Sequence, residues 1–137
     1  VEKELSESAF KEDVISLGRL QSEELKMILG ASMALTFIPI FEGFGIPALE
    51  AMQSGVPVIA SNSSSLPEVV GDAAILCSPN NIEEIKDAMQ SVAEDEELRA
   101  SMKEKGLIQS EKYSWDQSAR LLWESIEKTM QDVKAIQ

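Results

Sequence analysis

Residues 41–50 read FEGFGIPALE, with Glu42 and Glu50 on either side of two glycines and a proline. A buried strand gains nothing from Glu42. A plain helix gains nothing from Gly43, Gly45 and Pro47. The combination marks a strand giving way to a helix. Met33 to Phe41 is apolar apart from Thr36, the pattern of a strand buried on both faces in a helix-covered parallel sheet. Glu42 then emerges at the carboxyl end of that strand. Pro47 suits the first helical position, which puts Glu50 in the first turn. Both carboxylates then face one crevice. Gly43 and Gly45 can adopt positive φ and let a ligand approach the backbone. The free N–H groups of the first turn form an anion site. Ionised carboxylates accept hydrogen bonds and donate none. The set suits a ligand with vicinal hydroxyls beside a phosphate: sugars and ribose have the hydroxyls, a nucleotide has the phosphate. A glutamate in a first turn also stabilises the helix dipole by ~0.3–1 kcal/mol, which is an alternative account of Glu50. It does not extend to Glu42, which gains no obvious stability between an apolar strand and GFG.

The elements that must hold this stretch alternate in type. Residues 2–10 read as a helix end, with Leu5 and Ala9 one turn apart, and Lys11 to Asp13 as a turn. Val14 to Leu17 read as a short strand closed by Gly18. Ser22 is a candidate N-cap before Glu23 and Glu24, and Leu25 with Ile28 gives that helix its inner face. After the FEGF block, Ala48 to Ser54 continue a helix that Gly55 and Pro57 end. Val58 to Ser61 is the next strand and Asn62 to Ser65 a polar loop. Ser65 and Glu68 have capping-box spacing. Ala73 to Cys77 is another strand. Asn81 and Glu84 open a helix whose inner face is Ile82, Ile85, Met89 and Val92. A helix over residues 96–111 follows. The last begins at Ser114, with a stripe of Trp115, Ala119, Leu122, Ile126 and Met130. This order predicts an α/β fold: a Rossmann-like, doubly wound parallel sheet, partial, with about four strands and flanking helices. Ligands of such sheets bind outside the carboxyl ends of the strands, where FEGFGIPALE and SNSSSLPE both lie.

Composition narrows the function. The 137 residues suit one domain, and the net charge of −12 opposes nucleic acid and anionic membrane as partners. There is no histidine to serve as general base or metal ligand. No apolar run approaches the ~20 residues of a membrane span, and no N-terminal signal is evident. The single cysteine, Cys77, cannot form an internal disulfide, which suits a reducing, cytoplasmic compartment. It reads as a buried structural thiol. Trp115 and Trp123, eight apart, read as packing residues before a sugar-stacking platform. The acidic run EDEE at 94–97 reads as a solvated helix start before a metal site.

The block EGFGIPALEAMQSGVPVIASNSSSLPEVVGDAAILCSPNN resembles the C-terminal, donor-binding half of retaining glycosyltransferases of the GT-B fold, the large family 4 or group 1 type. The family's E-x7-E pair is matched by Glu42 and Glu50. Its GVPV(I/V)AS strand is matched by Gly55 to Ser61, and its LPEV turn by Leu66 to Val69. The likeness extends upstream to LGRLQSEELKMILGAS and downstream to the YSW-headed last helix. The resemblance implies transfer of a sugar from a nucleotide-diphosphate sugar with retained anomeric configuration. It implies that Glu50 binds ribose hydroxyls and that Glu42 contacts hydroxyls of the transferred sugar. The backbone around Gly43, Phe44, Gly45 and Ile46 meets the sugar or diphosphate. Gly18, Arg19 and Leu20 lie near the base, and Ser61 to Ser65 line the crevice toward the acceptor. No cofactor or metal is implied, and no Asp-x-Asp pair occurs.

The sequence also departs from that pattern. The first strands of the donor half, with the arginine and lysine that grip the diphosphate, are not found. Nor is the acceptor-binding N-terminal half, which would bring the sugar or lipid-linked acceptor. The chain is therefore expected to be a truncated, inactive part of a longer enzyme, which is cytoplasmic or peripheral at the inner membrane face. Without neighbours, Val14 to Leu17 must pair with residues 36–40, with a second copy in a homodimer through the exposed sheet edge, or with nothing. Rearrangement or dimerisation is the expectation. Two rival readings are a non-catalytic nucleotide-binding or subunit-interaction module and a phosphosugar epimerase, of which the E-x7-E block with EGFG is not the signature.

Overall fold

The structure is a computed structural model that describes the backbone of residues 2–136 and the side chains of residues 4–131. Its elements run α1 (Glu2–Glu7), a 3-10 turn (Lys11–Asp13), α2 (Ser22–Ala31), β1 (Leu35–Phe37), α3 (Ile46–Gln53) and β2 (Val58–Ser61). They continue with α4 (Leu66–Val70), β3 (Ala74–Cys77), α5 (Ile82–Glu94), α6 (Glu96–Ser110) and α7 (Trp115–Ile136). Among the described residues the three strands form one parallel sheet in the order β1-β2-β3. Leu35 sits opposite Val58, and Val58 opposite Ala74. This is the α/β architecture expected from the sequence, with helices on both faces.

Alternation along the strands divides the core. Val58 and Ala60 pack with Ala48, Ala51 and Met52 of α3 and Leu66 and Val70 of α4. Ile59 and Cys77 point the other way, onto Ala88 and Val92 of α5 and Met102 of α6. All four residues of β2 are buried, because it has a strand on each side and helices on each face. α6 packs on α3, α4 and α5 and so ties the two layers together. Gly106 permits the approach to α3, since a Cβ there would stand 3.3 Å from Met52 Cγ.

Several sequence expectations are corrected. Val14 to Leu17 form no strand, Ile15 is 78% exposed, and the described residues form three strands rather than four. The run does not pair with β1, so the internal rearrangement does not occur. The apolar stretch from Met33 to Phe41 yields a strand of only three residues, of which Thr36 is exposed. Pro39 lacks an N–H and cannot extend the ladder. Phe41 beyond it is 80% exposed. α1 stops at Glu7, leaving Ala9 outside it. The N-cap of α2 is Gln21, whose N–H donates to the Glu24 carboxylate at 2.9 Å, not Ser22. The inner face of α5 is Ile85, Ala88 and Val92, while Ile82 and Met89 are exposed. The buried stripe runs through Ala88 rather than through Met89. Asn81 caps α5 through the Glu84 N–H at 3.2 Å, but the Glu84 carboxylate turns instead to the Ser78 N–H at 2.9 Å. Asp95 of the acidic run caps α6, accepting from the Leu98 N–H at 2.8 Å. No described helix is long and apolar enough to cross a membrane.

Candidate functional site

The carboxyl ends of β1 and β2 carry two loops, residues 38–45 and 62–65, and serines sew them together. Ser63 Oγ donates to the Ile40 carbonyl at 3.1 Å and lies 3.2 Å from Ser61 Oγ. Ser64 Oγ accepts the Glu42 N–H at 3.0 Å, and Ser65 Oγ is shared between the carbonyls of Glu42 at 2.9 Å and Phe44 at 3.0 Å. Ser64 holds φ at 51°, a left-handed conformation uncommon for a serine. The sequence reading had Ser61 to Ser65 lining the acceptor side of the crevice. The hydroxyls of Ser63, Ser64 and Ser65 hold the backbone of residues 39–44. Ser65 accordingly gives no side-chain cap to α4, contrary to its capping-box spacing.

Gly45 starts α3 with φ at 109°, and a Cβ there would stand 2.6 Å from Leu66 Cδ2. Both the conformation and the close approach require glycine. Gly43 is not in the positive-φ region, and a Cβ on it would meet nothing within 4 Å. The expectation of positive φ therefore holds for Gly45 alone. Ile46, not Pro47, is the first residue of α3, and no acidic residue lies in its first turn. Glu50 is thus one residue further in than expected, just past the first turn, and the dipole account of it weakens.

The two glutamates sit differently. Glu42 is half-buried, and its Oε1 accepts from the Gly43 N–H at 3.1 Å and, more weakly, from the Phe44 N–H at 3.5 Å. Glu50 is exposed on α3. Lys26 of α2, ion-paired with Glu23 at 2.8 Å, has its ammonium pKa raised, mainly by the Glu23 hydrogen bond and charge and to a lesser extent by the charge of Glu50. Lys26 is sixteen positions upstream of Glu42, and only the fold brings it toward Glu50. Arg19 is exposed and Leu20 half-buried in the segment leading to α2.

On its other side Glu50 lines an open groove of about 760 Å³ between α3 and the start of α7, with Phe44, Tyr113 and Trp115 among its walls. Phe44 meets Tyr113 edge-on, with ring centroids 5.6 Å apart and an interplanar angle of 86°. The Tyr113 hydroxyl donates to the Glu68 carbonyl at 3.2 Å. Burial, helped by the charge of Glu68, pushes the Tyr113 phenol up. Trp115 is 84% exposed, so the packing role expected of it is not realised, and Trp123 is exposed as well. Cys77 is fully buried, and burial followed by the charge of Glu84 pushes its thiol up. It is structural, as expected. No cluster of three metal-ligating side chains occurs among the described residues.

The family of group 1 glycosyl transferases matches residues 1–108, which include all of this machinery up to α6. The chain belongs to that family. An O-antigen chain mannosyltransferase B of Escherichia coli is 39% identical over 100 residues, covering 73% of this chain and 26% of the relative. A serotype-specific mannosyltransferase of Escherichia coli is 31% identical over 126 residues, covering 92% of this chain and 16% of the relative. An MMP alpha-(1->4)-mannosyltransferase of Mycolicibacterium hassiacum is 37% identical over 87 residues, covering 61% of this chain and 21% of the relative. The chain thus spans between 16% and 26% of the length of these relatives.

Proposed function

We propose that this chain is the nucleotide-sugar-binding part of a retaining GT-B glycosyltransferase, which moves a hexose from a nucleoside-diphosphate sugar to a sugar or lipid-linked acceptor. One observation carries the reading: the Gly45-capped start of α3 is flanked by Glu42 on the loop before it and Glu50 on the helix itself. Glu50 takes the ribose hydroxyls. Arg19 and Leu20 lie by the base. The amides of Gly43 and Phe44, now held by the Glu42 carboxylate, pass to the donor as it arrives, and the carboxylate turns to hydroxyls of the transferred sugar. The amides of Gly45 and Ile46 complete the anion cradle. As the glycosidic bond breaks, negative charge grows on the departing diphosphate. Backbone donors fixed by the serine stitches stabilise that charge without reorganising, and this is the main catalytic effect. Lys26 adds positive charge on the Glu50 side. The reaction in this reading needs no metal. The names of the relatives favour mannose as the sugar.

The acceptor-binding half, in this reading, belongs to a longer polypeptide at the inner face of the membrane. The chain alone then binds donor without turnover. A second reading, a subunit-interaction module, is favoured by the exposed apolar residues of α7, Leu121, Leu122 and Ile126 among them.

Calorimetric titration of UDP, GDP and ADP separates the two. Binding of one nucleotide that Glu50→Ala weakens at least tenfold, ~1.4 kcal/mol, is the expected result. Equal affinity in the variant would remove Glu50 from the ribose and favour the module.

A further inference from the structure

The groove between α3 and α7 has a composition that the donor site does not explain. Its lining includes the carboxylates of Glu50 and Asp116 and the hydroxyl of Ser118, and it contains no lysine or arginine. No cationic side chain lines it to pair with a phosphate. The Trp115 indole lines the same groove and is 84% exposed. An indole left in water keeps a large apolar face unburied. Behind it the Phe44–Tyr113 pair forms a fixed wall, held by the Tyr113 hydroxyl on the Glu68 carbonyl. The volume of about 760 Å³ exceeds a single sugar ring. It falls within the ~300–1,000 Å³ typical of small-molecule sites.

A neutral saccharide meets these features together. Each pyranose has an apolar face of C–H groups that can cover the indole. Its edge carries hydroxyls that donate to carboxylates, which can only accept. We propose that the α3–α7 groove is a second binding site, for a neutral oligosaccharide, with Trp115 as the stacking platform and Asp116 as the hydroxyl acceptor. The choice of a glycan as the ligand rests on the glycosyltransferase reading above. In that setting the groove holds sugar units of the growing acceptor chain away from the reacting end. Trp123, two turns further along α7, does not line the groove and donates its Nε1–H to Glu127 Oε1 at 2.9 Å.

The test is NMR of the two indole N–H resonances while α-linked mannotriose is added to the full 137-residue chain. The Trp115 resonance should move with millimolar half-saturation while that of Trp123 stays in place. Trp115→Ala should abolish the binding, read on the methyl groups of Ile46 and Leu49. Asp116→Asn should weaken it at least fivefold, and Trp123→Ala should leave it unchanged. No movement of Trp115, equal movement of both indoles, or unchanged binding in Trp115→Ala overturns the proposal. So does a response to spermidine with none to mannotriose, which would make the groove a cation site. Nucleotide titration of the same samples keeps the two readings apart. Mannotriose binding without nucleotide binding sinks the donor site and leaves the groove. The reverse sinks the groove alone.

Discussion

The hydroxyl of Ser65 lies 2.9 Å from the carbonyl oxygen of Glu42, across twenty-three positions of sequence, and also reaches the carbonyl of Phe44 at 3.0 Å. One side chain thereby fixes both ends of the short turn that presents the Gly43 and Phe44 amides. Glu42 is half-buried and Phe44 exposed, so losing the hydroxyl costs one net hydrogen bond rather than a fully buried orphan. Ser65→Ala should destabilise by ~0.5–1.5 kcal/mol in urea denaturation. It should weaken nucleotide binding by more than that stability loss suggests, because the turn loses its register. Ser65→Thr, which keeps the hydroxyl, should restore both. Normal nucleotide affinity in Ser65→Ala would show that the stitch is dispensable to the site.

The two glycines of the block should behave oppositely. Gly45→Ala forces a side chain into φ of 109° and against Leu66 Cδ2 at 2.6 Å. A cost of ~1–3 kcal/mol is expected from strain and overpacking together. Gly43→Ala has open space and no positive φ, and its denaturation midpoint should stay within experimental error of the parent. Equal effects at both positions would contradict this geometry.

Gln109 is buried between α6 and α4. Its Nε2 donates to the Val69 carbonyl at 2.9 Å, and its Oε1 accepts from Lys112 Nζ at 2.6 Å. Gln109→Leu removes both bonds and strands the Val69 carbonyl without its partner. The expected loss is ~1–3 kcal/mol, measured as a lowered urea midpoint with unchanged slope. Lys112→Ala should cost much less, because the bond to Val69 survives it.

Alkaline pH should weaken the fold. The unfolded Cys77 thiol ionises near its ordinary 9.0, while burial holds the folded thiol protonated to higher pH. Tyr113 behaves likewise above its ordinary 10.0. Above those ordinary values the unfolded state binds fewer protons than the native one, so stability falls as pH rises. Below pH 8 neither group contributes a slope. Urea midpoints between pH 7 and 10.5 check the direction, and Cys77→Ala should flatten the first part of the decline. The native thiol should also resist aromatic disulfide reagents until the chain unfolds.

What the sequence made legible was what depends on near neighbours. Val58 to Ser61 reads as a strand, and it is one, with all four residues buried. The Ser114 cap and the Asn81 cap are readable for the same reason: the N–H groups that donate to them lie three residues away. Val14 to Leu17 misleads because an apolar run says nothing of whether a neighbouring strand exists to pair with it. Ser65 has the spacing of a cap, but its hydroxyl found carbonyls more than twenty positions away. Glu42 and Glu50 stood out through the glycines between them. Lys26 and the Phe44–Tyr113 wall left no such local trace, since each is assembled only by tertiary packing.

α7 has a different consequence. It runs for 22 residues, and every described side chain from Trp115 to Gln131 is exposed. Helices are held in place mainly by the apolar surface they bury against a domain. Beyond the turn that lines the groove with α3, α7 buries little, so the opening of its later turns is uncoupled from the sheet. Its amides exchange with solvent by fraying, while those of β2 wait for the whole core to come apart. The molecule therefore keeps two clocks, a fast one in its last helix and a slow one at the centre of its sheet. A helical signal that fades before the core melts is the ordinary thermal behaviour of such a chain.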